Sequence, residues 1–294
     1  MNRKFFLKKF LLYFFLFFLP VALIGAAMSQ YAYRNIYQSI NDKAKNKYKQ
    51  DVRYLTNTLD VFPYSGSLFN NSHVLKRVIN KVIHVDSLSY VDAVCLELIT
   101  AIINNKANTS EFIDSIYLYS DNNQGNFIRS GYGFSCLKNQ VHTEWLDIFQ
   151  NTAQSVQMWI CSYPSRFYSF EKKRNVVSVF YRLNSINGAI VVNMSESALK
   201  QMLDSFASNR DEIIFVTDKE NHILFENSKS SDFFKDEKNA FSFFSQDEHL
   251  ADENFCEINI NERKYILMRS RDSTFGLCFY SITAADVLYE TPRR

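Results

Sequence analysis

The side chains best able to do chemistry in this 294-residue chain are five cysteines, five histidines and a few adjacent carboxylates, and their spacing assembles no catalyst. Cys95, Cys136, Cys161, Cys256 and Cys278 are scattered, with no CxxC and no metal-like interval. An odd count cannot complete a disulfide framework, and Cys95, Cys256 and Cys278 sit in apolar patterns that read as core thiols. His73, His84, His142, His222 and His249 stand apart, with no HExxH or comparable pair, so no metal site is expected. The carboxylate pairs Asp211-Glu212 and Asp247-Glu248 fall in turn-like sequence, where a solvated face explains them better than acid–base work. Gly131 and Gly133 flank Tyr132 in what reads as a short loop, and two glycines make no phosphate cradle. With GxSxG, P-loop and GxGxxG patterns absent, neither an enzyme nor a cofactor is expected.

Binding remains, and the elements that would position a binding site are legible. Lys8-Lys9 precedes an uncharged run, Phe10–Met28, and about 19 residues at ~1.5 Å rise each cross a hydrocarbon core of roughly 30 Å. Arg3, Lys4, Lys8 and Lys9 flank the run without an acid, which predicts a cytoplasmic amino terminus and an extracellular body. A cleaved secretory signal is the competing reading, with Gly25-Ala26-Ala27 as the small-residue stretch, although the run exceeds the usual apolar region of such signals. Pro20 does not argue against a membrane helix. The formal net charge of +2 with 22% charged residues argues against a nucleic-acid surface, and 16% aromatic residues argue for a densely packed body.

After Ser29 the apolar positions Ile36, Ile40, Ala44, Tyr48, Val52, Leu55, Leu59 and Phe62 recur at steps of three and four, one stripe of a helix that Pro63 and Ser65-Gly66-Ser67 close. Continuous with the membrane segment, this rod would reach roughly 80 Å. Lys43, Lys45, Lys47, Lys49 and Arg53 make its middle basic, either as a solvated face or against anionic lipid or wall polymer. The stripe is near-heptad, which fits both a homodimer through the stalk and packing against later helices of the same chain. Two such helices are expected, one with Val74, Val78, Ile79 and Val82 on a face, the other with Val91, Val94, Cys95, Leu98, Ile99 and Ile102, both bundled on the rod.

At Phe112 the period changes from helical to β. Strands are predicted at Phe112–Tyr119, Phe127–Ser130, Val156–Cys161, Val176–Arg182 and Ala189–Asn193, with a turn at Ser120-Asp121-Asn122-Asn123 and a helix around Val141–Phe149. Asn187-Gly188 reads as a hairpin turn, and Ser195 caps a helix running through Phe206. A second, shorter block follows: Ile213–Thr217, a turn at Asp218–Asn221, His222–Glu226, a polar middle, then Phe255–Ile260, Asn261-Glu262 as a turn, Arg263–Arg269 and Phe275–Ile282. The fold class is therefore α+β, two antiparallel-sheet modules strung on one helical rod.

Four phrases resemble the extracellular double-Cache sensors of Gram-positive membrane receptors, whose modules are PAS-like. FIDSIYLYSDNNQGNFIRSGYG and VVSVFYRLNSINGAIVVNMSESALKQML are similar to the opening and closing parts of the membrane-distal module. DEIIFVTDKENHILFEN and RKYILMRSRDSTFGLCFYSITAADVLYE are similar to those of the membrane-proximal module, where the family often has Trp in place of Leu277. The division this implies is 1–9 cytoplasmic stub, 10–28 membrane helix, 29–62 stalk, 63–208 helical pair plus distal module, 209–286 proximal module, and 287–294 tail before a second membrane span.

The resemblance implies an unknown small-molecule or protein ligand outside the cell and a cytoplasmic output of AraC or histidine-kinase type. Because no second span, kinase motif or recognition helix precedes Arg294, the expectation is a truncated receptor anchored in the bilayer; a stand-alone structural or adhesion protein is the alternative. In such sensors the ligand lies against the distal sheet, and the matching positions here are Tyr119, Arg129, Tyr132, Trp145, Trp159 and Tyr181. Tyr132 and Trp145 would offer flat contact, and Arg129 would pair a carboxylate; an ordinary core accounts equally for both tryptophans and Tyr181. The Arg shortly before Trp that some members use for amino acids is replaced by His142-Thr143-Glu144, so an amino-acid ligand is not implied.

Overall fold

The computed structural model describes residues 3–60, 89–121, 125–166, 168–183, 187–209, 211–236, 253–260 and 262–289. Helix α1 (Arg3–Leu59) is unbroken, 57 residues long, and runs straight through Pro20. It is the one helix among the described residues long and apolar enough to cross a membrane. From Phe10 to Met28 its large apolar side chains stand 43–71% exposed, a sleeve left uncovered among the described residues. Beyond it, Ile36 is exposed, Ile40, Ala44, Tyr48 and Val52 are half-buried, and Leu55 and Leu59 are buried, so the expected stripe engages the body only from Ile40 onward.

Helix α2 (Tyr90–Asn108), capped by Ser89, follows, and then a six-stranded antiparallel sheet: β1 (Ile113–Ser120), β2 (Asn126–Arg129), β3 (Gly133–Cys136), helix α3 (Glu144–Asn151), β4 (Met158–Ser165), β5 (Arg174–Arg182) and β6 (Gly188–Ser195). Its order is β3-β2-β1-β6-β5-β4. Helix α4 (Glu196–Phe206), whose Ser195 cap accepts from the Ala198 amide at 3.3 Å, leads to a five-stranded sheet. This holds β7 (Ile213–Thr217), β8 (Ile223–Glu226), helix α5 (Ser228–Asp236), β9 (Glu253–Ile260), β10 (Arg263–Arg271) and β11 (Cys278–Ala284), ordered β8-β7-β11-β10-β9, and α6 (Ala285–Leu288) closes the path. The fold is α+β with two antiparallel sheets and one long apolar helix.

Several expectations are corrected. Gly133 does not end a loop but opens β3, an edge strand paired to β2; the turn before it needs left-handed backbone at Gly131 (φ 78°) and Gly133 (φ 72°). The hairpin expected at Asn187-Gly188 joins β5 to β6 in an antiparallel pair. Gly188 is already in β6, and a side-chain carbon there would collide with the Tyr119 carbonyl oxygen. The last strand begins at Cys278 rather than Phe275. Of the α2 face, Ile99 is buried together with Ile103, while Val91, Val94, Leu98 and Ile102 are exposed, because the helix docks on β1 and β2 rather than bundling lengthwise on the rod. The expected helix at Val74–Val82, the close at Pro63, Asp247-Glu248 and the tail from Glu290 lie outside the described residues.

The main core lies between the sheets and includes the rod. Leu55 and Leu59 of α1, Ile99 and Ile103 of α2, and Leu199, Met202 and Leu203 of α4 form one cluster with Ile116, Leu118, Val179 and Val192 of the first sheet. Val216, Phe225 and Phe279 of the second sheet belong to the same cluster. Two smaller cores back the outer faces, one under α3 and one under α5. The stalk is also tied by polar contacts: Lys47 donates to Asp51 (2.8 Å) and to the Phe206 carbonyl that ends α4, and Tyr48 donates to the Phe279 carbonyl (2.8 Å). Lower down, Tyr289 donates to Asn41 (2.8 Å) and its ring meets that of Tyr37 at 4.6 Å.

Candidate functional site

Strand alternation sorts the candidate residues. In β1, Tyr117 and Tyr119 face α3, whereas Ile116 and Leu118 face the stalk. In β2, Phe127 faces α3 and Arg129, two residues on and opposite Tyr117, shares that face. In β5, Phe180 faces α3 and stacks on Trp159 (4.9 Å, 11°), so the next residue, Tyr181, turns to the stalk side. Tyr181 is thus separated from the other five by the thickness of the sheet.

The remaining five form two neighbouring groups. Trp145, 1% exposed, projects from α3 into a box of Tyr117 (5.4 Å), Tyr119 (5.2 Å) and Phe127 (5.6 Å), and its indole donates to Gln140 (3.1 Å). Trp159 joins that box through Phe149 at 6.4 Å. Arg182 clamps α3 to the sheet, donating to the Thr152 (3.0 Å) and Val156 (3.1 Å) carbonyls. Tyr119 and Trp145 therefore sit in closed aromatic packing, with Trp159 half-buried against it.

Arg129 and Tyr132 stand at the open end. The Arg129 side chain is 4% exposed and its guanidinium lies over the Tyr132 ring at 4.3 Å, with Tyr168 at 6.0 Å. Glu171, on the connection between β4 and β5, brings one carboxylate oxygen to 3.5 Å from Arg129 Nη1 and 3.4 Å from the Tyr132 hydroxyl. These groups border a cleft of about 570 Å³, whose lining also includes Asp114, Lys172, Lys173 and Arg174. Asp114 is paired to Arg174 at 2.7 Å, yet burial holds its carboxyl above the usual carboxylate range. The turn carrying Gly131 is held to α2, whose Asn104 accepts from the Gly131 amide at 2.7 Å.

A largely buried polar row crosses the first sheet. Ser115, Asn193, Ser178 and Cys161 are register partners on β1, β6, β5 and β4. Asn193 Oδ1 accepts from Ser178 (2.6 Å) and Tyr163 (2.8 Å), and its amide donates to Ser115 (3.0 Å). Burial pushes the Cys161 thiol up to about 12, which keeps it protonated at neutral pH. Neither this row nor Glu171, Asp114 and Arg174 was expected. A signal for the row was present: Ser178 and Asn193 interrupt otherwise apolar strands, and a polar group in such a strand needs a partner.

Elsewhere, Glu212 contradicts the expected solvated face of its carboxylate pair. It is 6% exposed and accepts from Ser281 (2.8 Å) and the Ser208 amide (2.6 Å), joining the link after α4 to β11. Asp218, Glu220 and His222 bring possible metal-ligand atoms within 4.8 Å of one another, but the Asp218 carboxylate is engaged in closing its own turn, accepting from the Glu220 (2.9 Å) and His222 (2.8 Å) amides.

The chain resembles solved extracellular sensor domains in structure. The extracellular domain of vpHK1S-Z8, described as a histidine kinase, matches with a TM-score of 0.58 at 12% identity, covering 87% of this chain and 99% of that one. The corresponding domain of soHK1S-Z6 gives 0.54 at 12% identity, with 88% and 98% covered. A domain of a sensory box/GGDEF family protein from Vibrio parahaemolyticus gives 0.54 at 12% identity, with 85% and 98% covered. No family model matches the sequence, and no curated protein matches it. What is shared at such identity is the architecture, the double, PAS-like Cache fold of extracellular sensors.

Proposed function

We propose that this chain is the membrane-anchored extracellular sensor of a signalling receptor, that it binds a small molecule in the Arg129 cleft of the first sheet, and that it reports binding through the stalk to an output of kinase or AraC type. The observation that carries this proposal is the continuous core that Leu55 and Leu59 of the stalk share with residues of both sheets. Packed interiors transmit displacement rather than absorb it, so a shift of the first sheet moves the helix that enters the bilayer. A few kcal/mol of differential affinity between two stalk positions is enough to switch such a device. The basic flank at Arg3, Lys4, Lys8 and Lys9 supports a cytoplasmic amino terminus.

The test is a thermal-shift screen of the full chain in lipid nanodiscs against sugars, amino acids and organic acids. A ligand at about 100 times its Kd adds ~2.7 kcal/mol to stability and raises Tm accordingly. A folded chain that no class stabilises would count against the small-molecule sensor and for a structural or adhesion role.

A further inference from the structure

We propose that the Arg129 cleft takes a small-molecule carboxylate and that Glu171 is its resident competitor, a carboxylate of the chain itself that holds the seat until the ligand displaces it; this rests on the sensor function proposed above. A guanidinium that is 4% exposed requires a counter-charge, because an uncompensated buried ion is strongly destabilising. Glu171 supplies one in an ion pair at 3.5 Å, longer than a well-formed one. Its contacts with Arg129 Nη1 at 3.5 Å and the Tyr132 hydroxyl at 3.4 Å converge on a single oxygen. A well-formed guanidinium–carboxylate fork has two contacts at roughly 2.7–2.9 Å.

The two partners differ in how firmly the fold holds them. Arg129 belongs to β2, which is hydrogen-bonded to β1 on one side and β3 on the other. Glu171 belongs to the connection between β4 and β5 and is held locally by its amide, which donates to the Tyr168 carbonyl at 3.0 Å. Displacement therefore moves a connection and leaves the guanidinium where it is. The cleft, at about 570 Å³, has the volume of ordinary small-ligand sites, roughly 300–1,000 Å³. Its lining carries Arg129, Lys172, Lys173 and Arg174 against Asp114 and Glu171, a balance of four positive to two negative groups. Asp114 is committed to Arg174, and among the described residues Lys172 and Lys173 have no ion-pair partner. An incoming carboxylate replaces Glu171 charge for charge, so Arg129 keeps its compensation throughout the exchange; a neutral or cationic ligand offers no such replacement.

The experiment titrates acetate, benzoate and inorganic phosphate into the full chain in nanodiscs at constant ionic strength, reading Tm for wild type, Glu171→Gln and Arg129→Gln. Without probe, E171Q melts below wild type, because Arg129 has lost a counter-charge, and a carboxylate probe restores it. Half-saturation by the better carboxylate falls about tenfold in E171Q relative to wild type, equivalent to ~1.4 kcal/mol. R129Q responds to none of the three. Should E171Q not fold, Glu171→Asp keeps the charge on a shorter arm and gives a smaller fall in half-saturation. An unchanged or higher half-saturation in the folded variant overturns the competitor role. Phosphate binding E171Q more tightly than either carboxylate overturns the ligand class. Stabilisation by a sugar and by none of the anions overturns this proposal and leaves the sensor function standing, whereas silence to every class removes both.

Discussion

Asp114 shows burial outweighing a countercharge. Desolvation raises its pKa, and Arg174 at 2.7 Å pulls it only part of the way back. The native state then holds this proton more tightly than the unfolded chain, so the contribution to stability is present below the ordinary value of 3.8 and is lost as pH rises through the raised native value. The Tm of Asp114→Asn minus that of wild type is expected to grow as pH rises from about 4 and then level off; a difference that stays flat would remove the argument. Arg129, on β2, and Tyr132, in the turn after it, were singled out through a resemblance. Glu171 was not, because it lies 42 residues from Arg129 in a run, Glu171-Lys172-Lys173-Arg174, that reads as solvent-facing charge. Tyr181 was misplaced relative to the other candidates for a different reason: pattern alone does not say which face of a fully buried strand meets which helix.

Elements were legible where a local rule acts alone. Ser195 is one case, a side chain that satisfies an orphan amide of α4 whatever surrounds it. Ser195→Ala should cost about 0.5–2 kcal/mol in chemical denaturation, and Ser195→Asp should restore most of it. The buried strands β5 and β6 announced themselves as short apolar runs. β3 did not: four residues opened by a left-handed glycine carry no alternation, and only pairing with β2 makes them a strand. For α2 the period predicted a helix correctly but not its docking face. Ile99 and Ile103 turn inward to the core that the first sheet forms with the end of the rod at Leu55 and Leu59.

The molecule behaves as one packed body on a pole. Leu59, fully buried, touches a core to which both sheets contribute, so Leu59→Ala should cost about 2–5 kcal/mol and raise amide exchange in both sheets. Loss of protection in one sheet alone would mean that the modules are mechanically separate. Lys47 extends the same connection by gripping the carbonyl end of α4, which turns part of a basic stretch into a structural contact. The apolar sleeve from Phe10 to Met28 predicts that the chain stays with the membrane fraction through high-salt and alkaline extraction, while a chain lacking residues 1–28 is released.

Local physics, readable residue by residue, was enough for the apolar span, the helical rod, the change of period at Phe112, most of the strands though not β3 or helix α5, and the absence of familiar catalytic spacings. Burial and long-range pairing could only come from the folded chain. They decide that Tyr119 and Trp145 close into packing while Arg129 borders a cleft, that Glu212 is interior, and that Glu171 meets Arg129. Periodicity reports which positions avoid water. Which of those positions meet one another depends on strand register and on the connections between strands, and neither is written at any single point along the chain.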